Sequence, residues 1–264
     1  MRQLYIYCGV VLCLIAACLV FLTVQPMLFP VDTSVPNDVV VSVTGEETPK
    51  DTSADTGDGE TAVTDTTGQK EEYVCPARFT EINSKNPDAY AWISIPGTVI
   101  DYPIVQSPTS DAFYLRRDVN GNFWIAGSIM TEHSYNSTTF DDPVTVVYGH
   151  CMTSGAMFGE LQSYYSTTDG IEDHKIIEIY LPDKKLEYEV FAAVPYDMRH
   201  ILYNYDFTDP GTFMSFFKSI LSIRTFNSAM IKDEFPNDED KVLILSTCLQ
   251  GDSTKRFLVM AKMK

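Results

Sequence analysis

Residues 241–248 read KVLILSTC, an apolar run that ends in a cysteine, and residues 256–260 read RFLVM, a second apolar run that begins with an arginine. The residues between them, 249–255, are mostly polar and include Gly251. Two short aliphatic runs joined by such a loop are typical of a β-hairpin. The pattern predicts that Cys248 and Arg256 lie side by side at the ends of neighbouring strands. A fixed cation beside a cysteine favours the thiolate, which is the nucleophilic form.

A histidine stands at the end of an earlier predicted strand. Residues 144–148 read VTVVY, and His150 follows after a single glycine. Strand ends that open into loops are where rigid scaffolds present reactive groups. His133 and His200 fall in predicted loops and His174 begins a strand, so these three are interpreted as solvated or structural.

Cys248, His150 and Arg256 form a candidate trio for acyl transfer. In such a trio the thiolate attacks a carbonyl, the imidazole protonates the departing amine, and Arg256 or backbone N–H groups stabilise the oxyanion. The alternative from the same residues is a buried, inert cysteine at a strand end, which is the commoner situation for an isolated cysteine.

The rest of the chain after residue 73 favours many short strands. A helix is predicted over 78–89, and strands are predicted over 90–95, 99–105, 144–148, 176–181, 186–194, 242–246 and 257–261. Spacing of this kind favours an all-β barrel or sandwich. Helices are predicted to interrupt it near 157–165 and 210–224, the second from the apolar stripe Phe213, Phe216, Phe217, Ile220 and Leu221.

The N-terminal residues 1–31 predict a membrane anchor. Residues 3–31 carry no charge and 4–24 are almost wholly apolar, which is enough to cross a bilayer as a helix. Arg2 precedes the apolar run, which predicts a cytoplasmic N-terminus and an extracellular remainder. An alternative is that residues 15–18, IAAC, form a lipoprotein cleavage site with Cys18 as the lipid-bearing terminus. The apolar continuation over 19–22 favours the uncleaved anchor, and both interpretations give the same location.

Residues 32–72 predict a disordered linker. They are rich in Thr, Asp, Ser and Gly and hold eleven acidic residues against two lysines. A flexible chain of this length reaches ~35 Å. Residues 73–264 then suffice for one compact domain.

Charge and cysteine usage exclude several classes of function. The net charge of the chain is −17, which argues against a nucleic-acid partner. The predicted domain has three cysteines, Cys75, Cys151 and Cys248, and an odd number argues for at least one free thiol. No pair has zinc-ligand spacing, so neither a metal nor another cofactor is expected.

Several segments together resemble one family. They are LSTC (245–248) with TKRF (254–257), YGH (148–150) with MFGEL (157–161), WISIPGT (92–98) with IDYPIVQ (100–106), and GSIM (127–130). In this order they resemble the class B sortases, which are cysteine transpeptidases of Gram-positive cell surfaces. The resemblance runs from about residue 79 to 264.

The resemblance implies a fold and a reaction. The fold is an eight-stranded β-barrel with an N-terminal helix and helices in the connections. The reaction cleaves a C-terminal sorting motif of a secreted protein after its threonine and transfers the protein to an amine of peptidoglycan or of a pilin lysine. Cys248 is implied as nucleophile, His150 as acid and base, and Arg256 as the cation that orients the substrate.

The resemblance also implies a peptide groove. Ser246 and Thr247 are expected to flank the pocket. The residues expected to line the groove are Tyr114, Leu115, Leu202 and Tyr203, with Asp111 at a position where an asparagine is expected.

Cys151 departs from the family pattern because it directly follows the histidine. One hypothesis is an oxidative off-switch through a Cys151–Cys248 disulfide, and the alternative is a thiol without consequence.

Other functions are less well matched by the motifs. An L,D-transpeptidase places a glycine before its cysteine, whereas Thr247 stands here. A papain-like peptidase has its cysteine before its histidine in the chain, whereas His150 comes first. A pilus-polymerising sortase and a non-enzymatic surface adhesin remain as alternatives.

Overall fold

The computed structural model describes residues 73–264. The predicted anchor over 1–31, with its alternative at Cys18, and the predicted linker over 32–72 lie outside the described residues. Between residues 73 and 264, the helices are all too short or too polar to cross a membrane.

Strands dominate the described part of the chain. The strands are β1 (Ala89–Ser94), β2 (Asp101–Val105), β3 (Ile129–Met130), β4 (Val144–Tyr148), β5 (Ile176–Tyr180), β6 (Lys185–Asp197), β7 (Ala229–Met230), β8 (Val242–Leu249) and β9 (Asp252–Met263). The α-helices are α1 (Ala77–Lys85), α2 (Leu161–Tyr165), α3 (Thr168–Asp173), α4 (Ile201–Asn204) and α5 (Pro210–Leu221). Single 3₁₀ turns lie at Phe113–Arg116 and Lys232–Glu234.

The strands close into a barrel. Their order is β5-β1-β2-β3-β4-β8-β9-β6, and β5 also pairs with β6, which joins the two ends. The short β7 adds to β6 outside this circle. An eight-stranded barrel with an N-terminal helix and helical connections is therefore confirmed. Closure leaves the eight strands without a free sheet edge apart from the local pairing with β7.

The apolar character of β8 reflects burial on both of its faces. Leu243 and Leu245 point into the barrel, where they join the interior core. Val242 and Ile244 point outward and pack in a second apolar cluster. That cluster contains the aromatic stripe of α5, so the predicted helix over 210–224 is confirmed with its end at Leu221.

The helix predicted near 157–165 is shorter than expected. It begins only at Leu161, because Met157 has a left-handed backbone with φ of 57°. A Cβ at Gly159 would lie 2.4 Å from the carbonyl oxygen of Met152, so the chain is folded tightly on itself there. The residues before Leu161 therefore form turns rather than a helix.

The β8–β9 hairpin is confirmed, but the polar loop predicted over 249–255 is wrong in length. Leu249 already pairs with Asp252, so the turn consists of Gln250 and Gly251. Gly251 adopts φ of 79°, the left-handed conformation that such a tight turn needs and glycine adopts readily. The register then shifts between Cys248 and Leu249, which places a bulge next to the cysteine.

Candidate active site

The β8–β9 hairpin places a thiol against a guanidinium. Cys248 and Arg256 are direct cross-strand partners in the antiparallel register. Arg256 Nη1 donates a hydrogen bond to Cys248 Sγ at 3.3 Å. Both side chains are only partly buried. The pair predicted from the two apolar runs is therefore formed, with the sulfur accessible from the surface.

The parallel pairing of β4 with β8 brings His150 to the same end of the barrel. Tyr148 pairs with Ser246, and the N–H of Gly149 donates to the carbonyl of Ser246 at 3.1 Å. His150 and Cys248 each come two residues after this matched pair, so they leave the sheet side by side. A Cβ at Gly149 would lie 2.6 Å from side-chain atoms of the core, so a glycine is required before the histidine.

The imidazole of His150 is held by a backbone carbonyl. Its Nε2 lies 2.8 Å from the oxygen of Leu115. A carbonyl oxygen only accepts, so Nε2 carries a proton and Nδ1 is left free to exchange one. Within residues 73–264 no hydrogen bond joins His150 to Cys248.

A small cavity of about 120 Å³ opens beside these three side chains. Ser246 and Thr247 line it, as predicted for flanking residues, and are 4% and 2% exposed. The Oγ1 of Thr247 is buried without a hydrogen-bond partner among the described residues. Leu115, which is 46% exposed, forms part of the rim.

A larger cavity of about 280 Å³ continues the first one. The residues that line both cavities are Leu115, Met130, Tyr148, Ser246 and Arg256, so the two form a single groove. Asp111 lines the larger cavity, and its Oδ1 lies 2.6 Å from His133 Nδ1. Burial opposes the ionisation of Asp111, but hydrogen bonds from Ser134 and the neighbouring His133 together lower its pKa.

A carboxylate–imidazole pair lies in the wall of the larger cavity. Glu132 Oε2 is 2.8 Å from His200 Nε2, and the Glu132 side chain is 15% exposed. Burial raises the pKa of Glu132, although His200 opposes the shift. Burial, with the charge of Glu132 nearby, also raises the pKa of Tyr148.

Gln162 joins α2 to the hairpin that carries the cysteine. Its Oε1 accepts from the N–H of Gln250 at 3.0 Å, and its Nε2 donates to the carbonyl of Cys248 at 3.4 Å. The side chain of Gln250 in turn donates to the carbonyl of Gly159 at 2.8 Å. The tight turn after Cys248 is therefore fixed by amides from another part of the chain.

Cys151 lies near Cys248 but does not line either cavity of the groove. Its Sγ accepts from Gln162 Nε2 at 3.8 Å. Burial, with Cys248 nearby, raises the pKa of the Cys151 thiol. Both cysteines are free thiols, and the disulfide switch stays a prediction.

Three predicted groove residues lie elsewhere. Tyr114 is 3% exposed, and its hydroxyl donates to Asp88 and accepts from Asn86, each at 2.8 Å. Leu202 and Tyr203 line a separate cavity of about 420 Å³. The structure thus brings Cys248, His150, Arg256, Ser246, Thr247, Leu115 and Asp111 together, and leaves Tyr114, Leu202 and Tyr203 outside the groove.

Comparison with known proteins gives the family of this fold and groove. A family model described as a sortase domain matches residues 93–264. The chain belongs to the sortase family. Sortase B of Staphylococcus aureus is 28% identical over 194 residues, which cover 73% of this chain and 76% of the relative.

Two solved structures that are similar to this sortase are class B members. A Staphylococcus aureus sortase B–substrate complex has a TM-score of 0.61 at 25% identity and covers 75% of this chain and 89% of that chain. A Streptococcus pyogenes class B sortase involved in pilus biogenesis has a TM-score of 0.60 at 26% identity and covers 71% and 98%. The class B resemblance predicted from the motifs is therefore confirmed.

Glu132, His200 and Gln162 of this sortase lie at the site without being predicted from the sequence. His200 was expected to be solvated in a loop, but it pairs with Glu132 and its Nδ1 accepts from the N–H of Tyr203 at 3.1 Å. No spacing links residues 132 and 200, and nothing in the helix predicted near 157–165 marks Gln162 as a contact to the hairpin. Glu132 closely follows the GSIM segment at 127–130 and Gln162 directly follows the MFGEL segment at 157–161, whereas His200 lies near no recognised segment.

Proposed function

We propose that this sortase is a cysteine transpeptidase that cleaves the C-terminal sorting motif of secreted surface proteins after its threonine and transfers them to a cell-wall amine. The observation that carries the proposal is the 3.3 Å hydrogen bond from Arg256 to the Cys248 sulfur at the open end of a groove that His150 also borders. Arg256 stabilises the thiolate and leaves its remaining N–H donors available to a substrate carbonyl.

The first half-reaction forms a thioester. The Cys248 thiolate attacks the carbonyl carbon of the threonine, and the carbonyl electrons move to the oxygen. Arg256 or backbone N–H groups stabilise that oxyanion. The carbon–nitrogen bond then breaks, and His150 gives a proton to the departing amine. The product is a thioacyl-enzyme at Cys248 and a free C-terminal peptide.

The second half-reaction transfers the acyl group. An acceptor amine attacks the thioester carbon, loses its proton to His150, and displaces the thiolate. His150 returns to its protonated form and Cys248 to its starting state, so one peptide bond is exchanged for another without a cofactor. The hydrogen bond from Nε2 to the Leu115 carbonyl supports this role because it fixes the ring and leaves Nδ1 for proton exchange.

The predicted organisation of the chain puts this reaction on the outer side of the cell membrane. Residues 1–31 act as a single-pass anchor with a cytoplasmic N-terminus, residues 32–72 as a linker, and residues 73–264 as the extracellular catalytic domain. Its partners are secreted proteins with a sorting motif and a peptidoglycan amine.

Polymerisation of pilins is the second candidate. The likeness to the Streptococcus pyogenes class B sortase involved in pilus biogenesis favours it. In that case the acceptor is a pilin lysine, and the residues of the trio keep their roles.

The test compares two cysteine variants. Residues 73–264 contain the whole closed barrel, and this domain is expected to cleave a peptide library of sorting-type sequences and to transfer the products to an added amine. Cys248→Ala removes the nucleophile and is expected to lower both activities by at least about 10³-fold. Cys151→Ala is the matched control and is expected to keep most of the activity.

The opposite pattern would overturn the assignment of the nucleophile. If hydrolysis and transfer survive in Cys248→Ala, the thioester at this residue is ruled out. If cleavage occurs but no supplied amine is acylated, the protein is a peptidase rather than a transpeptidase. Mass spectrometry of the oxidised protein separately tests the Cys151–Cys248 disulfide, which free thiols at both residues would exclude.

A further inference from the structure

Three consecutive apolar side chains point into solvent next to the groove. Phe123, Trp124 and Ile125 are 73%, 53% and 65% exposed. Phe113 and Leu115 on the neighbouring 3₁₀ turn are 37% and 46% exposed. Single exposed apolar residues are ordinary, but a contiguous set of this kind marks an interaction surface.

Hydrogen bonds give the loop that carries these side chains a defined shape. The Asp118 carboxylate accepts from the N–H groups of Asn120 and Asn122 at 2.9 and 2.8 Å. Asn86 Nδ2 donates to the carbonyl of Val119 at 2.6 Å. The N–H of Trp124 donates to the carbonyl of Arg116 at 3.0 Å. The apolar side chains are therefore held outward by a folded loop.

Two arginines flank the apolar residues. Arg116 and Arg117 are exposed, and neither forms an ion pair within residues 73–264. Arg117 stacks over the ring of Phe113, with its guanidinium carbon 4.8 Å from the ring centroid. Burial opposes the ionisation of the nearby Asp118, but hydrogen bonds from backbone N–H groups lower its pKa, so its negative charge offsets one of the two arginines. In a chain of net charge −17, this surface is thus locally cationic and aromatic.

This combination matches the chemistry of an anionic phospholipid surface. Trp and Phe favour the boundary between headgroups and acyl chains, and exposed arginines are attracted to lipid phosphates. A protein partner would also cover apolar side chains, but the unpaired cations beside three protruding apolar residues favour the lipid.

The loop also lies near the point where the predicted linker enters the domain. The described chain begins at Tyr73 and runs directly into α1, whose nine residues span about 14 Å. Asn86, at the far end of α1, is the residue that holds the loop at Val119. The start of α1 and the point where Asn86 holds Val119 are thus about one short helix apart.

We propose that residues 123–125 insert into the interface of an anionic membrane, with Arg116 and Arg117 at the lipid phosphates. Leu115, on the same segment, lines the groove and holds His150 through its carbonyl. Contact through this loop sets the groove at the membrane surface, where a membrane-held substrate would present its sorting motif. The proposal uses the predicted anchor for proximity and is independent of the chemistry at Cys248.

Tryptophan fluorescence tests the proposal directly because the chain has two tryptophans. Trp92 is 6% exposed inside the domain, whereas Trp124 stands at the centre of the loop. The full chain carrying Trp92→Phe is reconstituted in phosphatidylglycerol vesicles with brominated acyl chains. Emission from Trp124 is expected to shift to the blue and to be quenched by the bromine atoms.

Loop variants and one control variant identify the contact. Phe123→Ser with Ile125→Ser is expected to lower the ratio of inserted to free loop by at least about tenfold. Arg116→Gln is expected to weaken quenching in anionic vesicles and to leave it nearly unchanged in phosphatidylcholine vesicles. Phe226→Ser is the control, because Phe226 is fully exposed elsewhere, and it is expected to change nothing.

Two results would overturn the proposal. One is Trp124 emission that stays water-like and unquenched in anionic vesicles. The other is a blue shift that appears only after a sorting-type peptide is added, which would make the loop a peptide surface. Cleavage of a soluble peptide by the loop variants is expected to stay unchanged, so a failure here is distinguishable from a failure of the transpeptidase proposal.

Discussion

The groove has two halves that the fold builds in different ways. In the strand half, Cys248, Arg256 and Ser246 lie on β8 and β9, and His150 follows the end of β4. In the loop half, Glu132, His200 and the Leu115 carbonyl come from connections between strands. Strand register fixes the first set, whereas contacts between distant loops fix the second.

The difference between the two halves shows which residues of the site are held most firmly in position. Ladder hydrogen bonds on both sides hold β8, and its Ser246 and Thr247 are almost fully buried. Loop residues are held by a few side-chain contacts, such as the 2.8 Å bond between Glu132 and His200. The reacting groups therefore lie on the stiffer half, and the loop half is suited to positioning and to substrate preference.

Replacing Arg256 by lysine tests the strand half with the largest expected effect. A point ammonium cannot reproduce the planar fork of donors that contacts the sulfur and a substrate oxygen. Arg256→Lys is expected to lower kcat/KM for peptide cleavage by about 10²–10³. Lys255→Arg, at the exposed neighbouring position, is the control and is expected to behave like the wild type. Near-normal turnover in Arg256→Lys would mean that charge alone suffices.

Replacing Gln162 tests how the strand half depends on a contact from outside the sheet. Gln162→Ala leaves the Gln250 N–H and the Cys248 carbonyl without their partner. The free energy of unfolding is expected to fall by about 1–3 kcal/mol. Because the Cys248 turn loosens, kcat is expected to fall severalfold with little change in KM. Ser163→Ala, at the exposed next residue, is the control, and equal losses of kcat in both variants would contradict a positioning role.

Replacing Glu132 tests the loop half and has the smallest expected effect. Burial raises the pKa of Glu132 above its ordinary value of 4.5, so the folded protein holds this proton more tightly than the unfolded chain. The free energy of unfolding is therefore expected to lose a contribution as pH rises from 4.5 through the raised pKa. Glu132→Gln keeps an acceptor for His200 and is expected to remove this loss.

Urea unfolding between about pH 3 and pH 7 measures the change. Glu187→Gln is a control of opposite sign, because hydrogen bonding from Lys185 lowers the pKa of Glu187. Its carboxylate contributes stability above the ordinary pKa, and the contribution is lost as pH falls through the lowered pKa. Identical pH dependence in Glu132→Gln and the wild type would show that the loop half does not titrate in this range.

Sequence patterns predicted the strand half because the spacing of residues along paired strands sets which side chains lie opposite each other. The apolar runs within residues 242–248 and 256–260 predict the strands, and their pairing puts Cys248 opposite Arg256. The turn was predicted too long because Asp252–Lys255 are polar like a loop, yet they continue β9 around a bulge. Polar character alone does not distinguish an exposed strand end from a loop.

The loop half could not be predicted in the same way. Tyr114 was expected in the groove with its neighbour Leu115, but in the 3₁₀ turn at 113–116 only Leu115 faces the groove, and Tyr114 is bonded to Asn86 and Asp88. Leu202 and Tyr203 lie in the single-turn helix α4, whose position depends on how the connection between β6 and α5 packs, and they line another cavity.

The sequence by itself determined most of the barrel strands, the sortase resemblance and the candidate trio of Cys248, His150 and Arg256, because apolar runs and short motifs are local patterns along the chain. Only the tertiary structure decided that Glu132 meets His200, that Leu115 holds His150, and that Phe123, Trp124 and Ile125 stand exposed beside the groove. Those features depend on how loops far apart in the chain pack together, and no local periodicity encodes such contacts.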